Sequence, residues 1–243
     1  MADDEAGPTA YPARSADAVL FDFHGTLATT VDPVVWVTEA AAACGAIIDR
    51  GRATVLADRL AAAGGLPGTG RPVRIPPQLA EVWANRDLYE YAHREAYTGL
   101  AATVICDIEG FAEAVYERVL LAEGWMLYAD ALPTVKALRE AGVAVGVLSN
   151  IGFDIRPMLA AWGLDDVPAL LSYEIGLIKP DPKIFMRACA MLGTPPERTI
   201  MVGDTIADAG AVAAGCRAII LPSAPVGGAN GLSAALALAV QRH

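Results

Sequence analysis

The chain has 243 residues, 54% of them hydrophobic and 19% charged, which suits one core domain with a buried interior and a smaller insertion. No apolar run reaches the ~18 residues that a membrane-spanning helix needs. A formal net charge of −10 without any Lys/Arg cluster repels a nucleic-acid backbone, which leaves a small molecule as the expected ligand.

Residues 1–17 mix Asp, Pro, Ala and Arg without a basic start and an apolar stretch, and read as a disordered lead-in, not a secretory signal. The run 18–23, Ala-Val-Leu-Phe-Asp-Phe, is rich in strand formers, breaks at Gly25 and predicts a buried strand ending at Asp22 to His24. The stretch 28–127 carries helical patterns near 33–44, 51–63, 77–101 and 109–123 with no convincing strand between them, and its Gly/Pro-rich part, 64–77, predicts an irregular loop. Three more apolar runs predict strands: Val143 to Leu148 before Ser149-Asn150, Thr199 to Val202 before Gly203-Asp204, and Ala218 to Leu221 before Pro222. Helical patterns about 131–141, 154–162, 181–192 and 207–214 alternate with them. The result is an α/β fold, a doubly wound parallel sheet built from 18–27 and 128–243, with 28–127 inserted as a helical cap. The segment Gly231 to Val240 predicts a last helix packed on the sheet, and Trp36, Trp83 and Trp125 are expected in the core of the cap. Cys44, Cys106, Cys189 and Cys216 are scattered with no C-x-x-C pair, which fits buried free thiols in a reducing cytoplasm and neither a disulfide framework nor a zinc site.

Ligands of such sheets sit at the carboxyl ends of the strands. Four strand ends or adjacent loops bring polar residues there: Asp22, Ser149 with Asn150, Lys179, and Asp204 with Asp208. A carboxylate at a strand end is a workable nucleophile that forms an acyl-phosphate, and attack of one anion on another needs positive charge between them. Mg²⁺ held by Asp22 and Asp204 supplies such charge, with Asp208 on a metal-bound water. Lys179 adds a fixed cation, while the Ser149 and Thr26 hydroxyls and nearby N–H groups donate to phosphoryl oxygens.

Four segments carry a resemblance: Phe21-Asp22-Phe23-His24-Gly25-Thr26-Leu27, Leu148-Ser149-Asn150, Gly176-Leu177-Ile178-Lys179-Pro180-Asp181-Pro182 and Gly203-Asp204-Thr205-Ile206-Ala207-Asp208. With these the chain resembles the haloacid dehalogenase-like hydrolase superfamily, with a helical cap inserted after the first motif. The resemblance implies that Asp22 is the nucleophile, that the backbone carbonyl of His24 with Asp22 and Asp204 binds Mg²⁺, and that Ser149 and Lys179 hold the phosphate. The expected reaction is hydrolysis of a small phosphorylated metabolite through an aspartyl-phosphate.

The sequence departs from the superfamily's phosphatases at His24, where they have an aspartate that protonates the leaving oxygen and later activates water. Imidazole is itself a common general acid–base group, so His24 is expected to take that role; the other reading is that it fills space or contacts substrate. Dehalogenases of the superfamily lack the acidic site that Asp204 and Asp208 keep here, and phosphonate hydrolysis needs a cap lysine where residues 28–127 have none. Attack on carbon by Asp22 and a catalytically silent ligand-binding protein stay as alternatives. In the cap, Arg86, Glu90, His93 and Tyr97 follow a spacing that places them on one face of a helix. Arg86, His93 and Tyr97 are candidates for substrate recognition; the other reading is a solvated face with an Arg–Glu pair.

Overall fold

The structure, a computed structural model, describes residues 14–69, 72–222 and 224–240. Five strands form one parallel sheet: β1 (Ala18–Phe21), β4 (Ala144–Ser149), β5 (Ala169–Leu171), β6 (Thr199–Gly203) and β7 (Arg217–Ile220), in the order β5-β4-β1-β6-β7. β1 lies between β4 and β6 in aligned register, with Phe21 level with Val147 and Val202. Because side chains alternate along a strand, β1 feeds two apolar layers. Val19 and Phe21 enter one with Val145, Val147, Ile200 and Val202; Leu20 enters the other with Leu148 and Met201.

Helices cover both faces. The first layer is closed by α6 (Ala131–Glu140), α7 (Arg156–Ala161) and α11 (Ser233–Ala239), through Val135, Leu138, Met158, Leu159 and Ala235. The second is closed by α9 (Pro182–Met191), which buries Ile184, Phe185, Ala188 and Cys189. Two short helices, α8 (Ser172–Ile175) and α10 (Ile206–Ala209), lie in the loops at the strand ends. The fold is therefore the doubly wound α/β core expected, and α11 packs where the apolar C-terminal segment predicts it.

Between β1 and α6 the chain inserts α1 (Pro33–Ala43), α2 (Arg50–Ala63), α3 (Ala80–Asn85), α4 (Glu90–Ala102) and α5 (Phe111–Glu117). Trp36 and Trp125 are buried, while Trp83 is half-buried. The insertion leaves and re-enters through a two-stranded antiparallel sheet, β2 (Ala28–Thr30) with β3 (Trp125–Leu127), where no strand was expected. These strands are three residues each and far apart in sequence, so only their pairing reveals them. Ala169–Leu171 was missed for the same reason.

A second correction concerns 77–101, expected as one helix. A 3₁₀ turn at Pro77–Leu79 leads into α3, which stops at Asn85, and α4 starts at Glu90. Arg86 therefore does not share a helix face with Glu90, His93 and Tyr97. The break is docked on the core: the Arg86 carbonyl lies so close to Gly152 that a Cβ there would meet it at 2.2 Å, and the Asp87 carbonyl accepts from the Ser172 hydroxyl.

Residues 1–13 lie outside the described residues, but 14–17 do not belong with a disordered lead-in. The Ser15 N–H donates to the Ala239 carbonyl at 2.9 Å, and Asp17 takes both Nε and Nη2 of Arg198 at 2.9 Å. All four cysteines are free; Cys44 and Cys106 are partly exposed, and Cys189 and Cys216 are buried with their Sγ atoms 3.6 Å apart.

Candidate active site

Asp22 follows the last residue of β1, and its N–H donates to the Val202 carbonyl of β6 at 2.8 Å, which fixes it at the sheet edge. Its Oδ1 accepts from the Ser149 hydroxyl at 3.1 Å and from Lys179 Nζ at 2.8 Å. The same ammonium donates to the Leu148 carbonyl at 3.1 Å and to Asp208 Oδ1 at 2.6 Å. The three donor sites of the ammonium are thus matched by three acceptors, and Lys179 is 4% exposed and Asp208 0%.

The supports of Lys179 come from its own sequence. Asp181 caps α9 by accepting from the Lys183 N–H at 2.9 Å, with Pro182 in the first turn, so the helix starts immediately beyond the lysine loop. The Asn150 amide clamps the lysine backbone, Nδ2 donating to the Lys179 carbonyl at 2.9 Å and Oδ1 accepting its N–H at 2.7 Å. Asn150 was expected on the phosphate; its amide instead positions Lys179. Asp208, expected on a metal-bound water, is held by the protein as well. Its Oδ2 accepts from the Thr205 N–H at 3.0 Å and the Thr205 hydroxyl at 2.7 Å, a capping box that starts α10. With Oδ1 on Lys179, both of its oxygens are occupied by protein donors.

Burial is the largest influence on Asp22 and raises its carboxyl, with Asp208 and Asp204 adding to the rise and Lys179 opposing it. Burial pulls Lys179 down, but its two carboxylate partners outweigh that and hold the ammonium above its usual value. Asp22, Asp204 and Asp208 each place an oxygen within 4.8 Å of the others. Three carboxylates, two of them buried and Asp204 half-buried, against one ammonium leave two negative charges, and hard oxygen donors of that charge suit a divalent cation such as Mg²⁺. Thr26 is fully buried and its Oγ1 has no hydrogen-bond partner, so it has a donor to offer a bound oxyanion.

His24 is half-buried with its ring edge-on to Trp125 at 5.5 Å. The irregular loop of the insertion covers it: a Cβ on Gly68 would lie 2.6 Å from His24 Nε2. Burial lowers the pKa of His24, with Asp22 opposing, so the ring is neutral at neutral pH.

The insertion residues divide. Arg86 donates to the Trp83 carbonyl at 2.7 Å, lies over the Trp83 ring at 4.2 Å and pairs with Asp87 at 3.3 Å. Tyr97 packs against His93 with the rings tilted at 44° and their centres 4.7 Å apart, and burial raises its phenol. His93 packs on Phe153, just beyond Asn150, but its Nδ1 is hydrogen-bonded to the Tyr116 hydroxyl at 2.9 Å. That makes His93 a core residue where the insertion meets the sheet. Burial, with Arg86 adding, holds its pKa down to about 3 against an ordinary 6.5. Between these values the unfolded chain binds a proton that the folded chain does not, so stability is full above the ordinary value and lost as pH falls. From about pH 7.5 to about pH 5 this group should cost about 2 kcal/mol. Urea midpoints of wild type and His93→Gln at both pH values check this: the variant should lose that part of the acid dependence.

Three residues of the site carry no sequence signal. Ser172 accepts from the Ile151 N–H at 2.8 Å and donates to Asp87, tying the loop beyond Asn150 to the insertion. Asp87 is itself the second: burial raises its carboxyl, and Arg86, Lys179 and Asp22 lie close enough for their charges to act on it. The third is Asn230, whose Nδ2 donates to the carbonyls of Gly25 and Thr26 at 2.9 and 3.0 Å.

Comparison with known proteins places this arrangement. A glyceraldehyde 3-phosphate phosphatase of Methanopyrus kandleri is 38% identical over 82 residues, 32% of this chain and 35% of that protein. A (S)-2-haloacid dehalogenase 4A of Burkholderia cepacia is 37% identical over 87 residues, 34% and 37% of the two chains. A phosphoserine phosphatase of Thermus thermophilus is 37% identical over 81 residues, 32% of each. The matches thus span about a third of these relatives' length. Among solved structures, a dehalogenase superposes with a TM-score of 0.63 at 25% identity over 93% of this chain and 98% of that one. A HAD family enzyme from Bacteroides thetaiotaomicron, solved as a magnesium complex, superposes with a TM-score of 0.54 at 16% identity over 87% and 96%. The family model of haloacid dehalogenase-like hydrolases matches residues 16–215, and the chain that carries Asp22, Lys179 and the acidic cluster on this sheet edge belongs to that family.

Proposed function

We propose that the protein is a Mg²⁺-dependent phosphomonoesterase acting on a small phosphorylated metabolite through an aspartyl-phosphate on Asp22. The observation that carries this reading is the cluster of Asp22, Asp208 and the half-buried Asp204, of which Asp22 and Asp208 share one Lys179 ammonium, and whose excess negative charge calls for a divalent cation. Asp22, Asp204 and the His24 carbonyl would hold the ion, with Asp208 acting through a water. Bound there, Mg²⁺ shields the two anions from each other and stabilises charge on the phosphoryl oxygens.

Asp22 attacks phosphorus, forming the acyl-phosphate bond as the ester oxygen departs with a proton. Thr26 holds a phosphoryl oxygen, Ser149 and Lys179 turn the hydrogen bonds they give Asp22 onto the others, and water then displaces phosphate from Asp22 and restores the carboxylate. The proton transfers fall to two groups whose surroundings push them apart. Asp87, close enough to Asp22 and Lys179 for their charges to act on it and raised by burial against its Arg86 partner, would supply the acid; His24, held neutral, would take the proton of the attacking water. Arg86, paired with Asp87, and Tyr97 are the cap residues that would recognise the leaving group. Asp22 is 7% exposed, so substrate enters by movement of the cap. Free thiols fit a place in the cytoplasm, and no described helix is long and apolar enough to cross a membrane.

The deciding experiment is phosphate release from a panel of phosphorylated metabolites with Mg²⁺ and with EDTA, beside halide release from 2-haloacids. Metal-dependent phosphate release supports the reading; EDTA-insensitive halide release supports attack on carbon; neither leaves a ligand-binding protein. Asp87→Asn should slow esters with poor leaving groups by about a hundredfold and those with good leaving groups far less. Equal losses on both would remove Asp87 from the acid role.

A further inference from the structure

We propose that Asn230 is a positioning residue of the active site, and that the C-terminal segment 224–232 thereby completes the turn that receives the phosphoryl group. The inference rests on the phosphatase reading above.

Asn230 is 5% exposed and lies some two hundred residues from the turn it touches. Every polar atom of its side chain is used. Oδ1 accepts the Ala224 N–H at 3.0 Å, which fixes which end of the amide carries the donors. Nδ2 donates to the carbonyls of Gly25 and Thr26. In a trans peptide the C=O and the following N–H point in opposite directions. Holding the Gly25 carbonyl from the Asn230 side therefore turns the Thr26 N–H away from it. The Leu27 N–H, beyond the other held carbonyl, is bound to the Phe23 carbonyl at 3.0 Å. The turn is thus clamped on both peptides, beside the buried Thr26 hydroxyl that lacks a protein partner. Preorganised donors of this kind act on developing charge only while their direction is fixed.

The clamp is itself braced. Asp130, which precedes α6, accepts the Asn230 N–H on Oδ1 and the Leu232 N–H on Oδ2, each at 2.8 Å. The Tyr128 hydroxyl donates to the Ala224 carbonyl at 3.1 Å, while the Tyr128 N–H donates to the Leu27 carbonyl at 3.0 Å. Segment 224–232 is thereby joined to the two chain stretches that flank the insertion. Asn150 uses the same device on the Lys179 backbone, so two asparagine amides set the backbones on which the phosphate would rest.

The test measures kcat and KM on the best ester found, the affinity for inorganic phosphate in Mg²⁺ by calorimetry, and the urea midpoint, for wild type, Asn230→Ala and Asn230→Ser. In folded Asn230→Ala, kcat should fall at least tenfold and phosphate affinity by about tenfold, the worth of one to two hydrogen bonds. Asn230→Ser, which keeps one short donor, should lie between; if the alanine variant does not fold, the serine variant carries the test. A purely structural role would lower the urea midpoint and leave kcat of the folded protein and its phosphate affinity at wild-type values, and that result overturns the proposal. Wild type that hydrolyses no ester instead overturns the phosphatase reading on which the proposal rests.

Discussion

Asp22→Asn should abolish turnover, lowering kcat by on the order of 10⁴-fold or more, while the protein stays folded and melts no lower than wild type. An amide does not form the acyl-phosphate, so the loss of rate follows from the chemistry of the nucleophile. The stability half follows from the site's electrostatics. Burial raises the Asp22 carboxyl, so ionised Asp22 is penalised in the folded state, and this group's contribution to stability is full at low pH and lost as pH rises through its raised pKa. A neutral amide of the same shape escapes that penalty, and Lys179 keeps Asp208 as its partner. The paired measurement is phosphate release and a thermal melt at neutral pH. Mass spectrometry of quenched wild type should also find one phosphoryl group that the variant lacks. Residual turnover near the wild-type rate would remove Asp22 from the nucleophile's place. A lower melting temperature with lost activity would instead mark it as a structural carboxylate.

The residues proposed for this chemistry were legible because strand ends are legible. β1, β4 and β6 announce themselves as apolar runs that stop at polar residues and β7 as one that stops at a proline, and a parallel sheet brings their carboxyl ends together. Asp22, Ser149 and Asp204 follow from that geometry, and Lys179 and Asp208 from the loop and the helix beside those ends. What the residues do to one another was less legible. Asn150 and Asp208 stand at the right places, yet their side chains are taken by the Lys179 backbone, by its ammonium and by Thr205. Asn230 and Ser172 belong to no motif; only tertiary folding carries them to Gly25 and Ile151. The break between α3 and α4 was hidden for the same reason. Asn85-Arg86-Asp87-Leu88-Tyr89 holds no Gly or Pro to stop a helix, and the stop is imposed by docking on Gly152 and Ser172. Local propensity sees neither partner.

Lys179→Met should be the most destabilising single change at the site, costing about 3–5 kcal/mol and removing turnover together with stability. The methionine keeps the length of the side chain, so the loss is of charge and donors and not of volume. It leaves Asp22 and Asp208 buried with no cation between them, and an ion stripped of its partner in a dry place is more costly than the pair was favourable. Asp208→Asn by itself should cost less: its amide oxygen still accepts from Lys179 and the Thr205 hydroxyl can turn to accept from its amide nitrogen, which leaves only the Thr205 N–H without its acceptor. The double variant Lys179→Met with Asp208→Asn then separates the causes. With the lysine gone, neutralising Asp208 removes a buried unpaired charge, so the double variant should be more stable than Lys179→Met alone, and the two changes should be strongly non-additive. Urea unfolding of the four proteins at constant m reads this coupling directly. Additive costs would mean that Lys179 and Asp208 do not stabilise each other. The ammonium would then serve the nucleophile alone, and the acidic cluster would owe its balance to the bound cation.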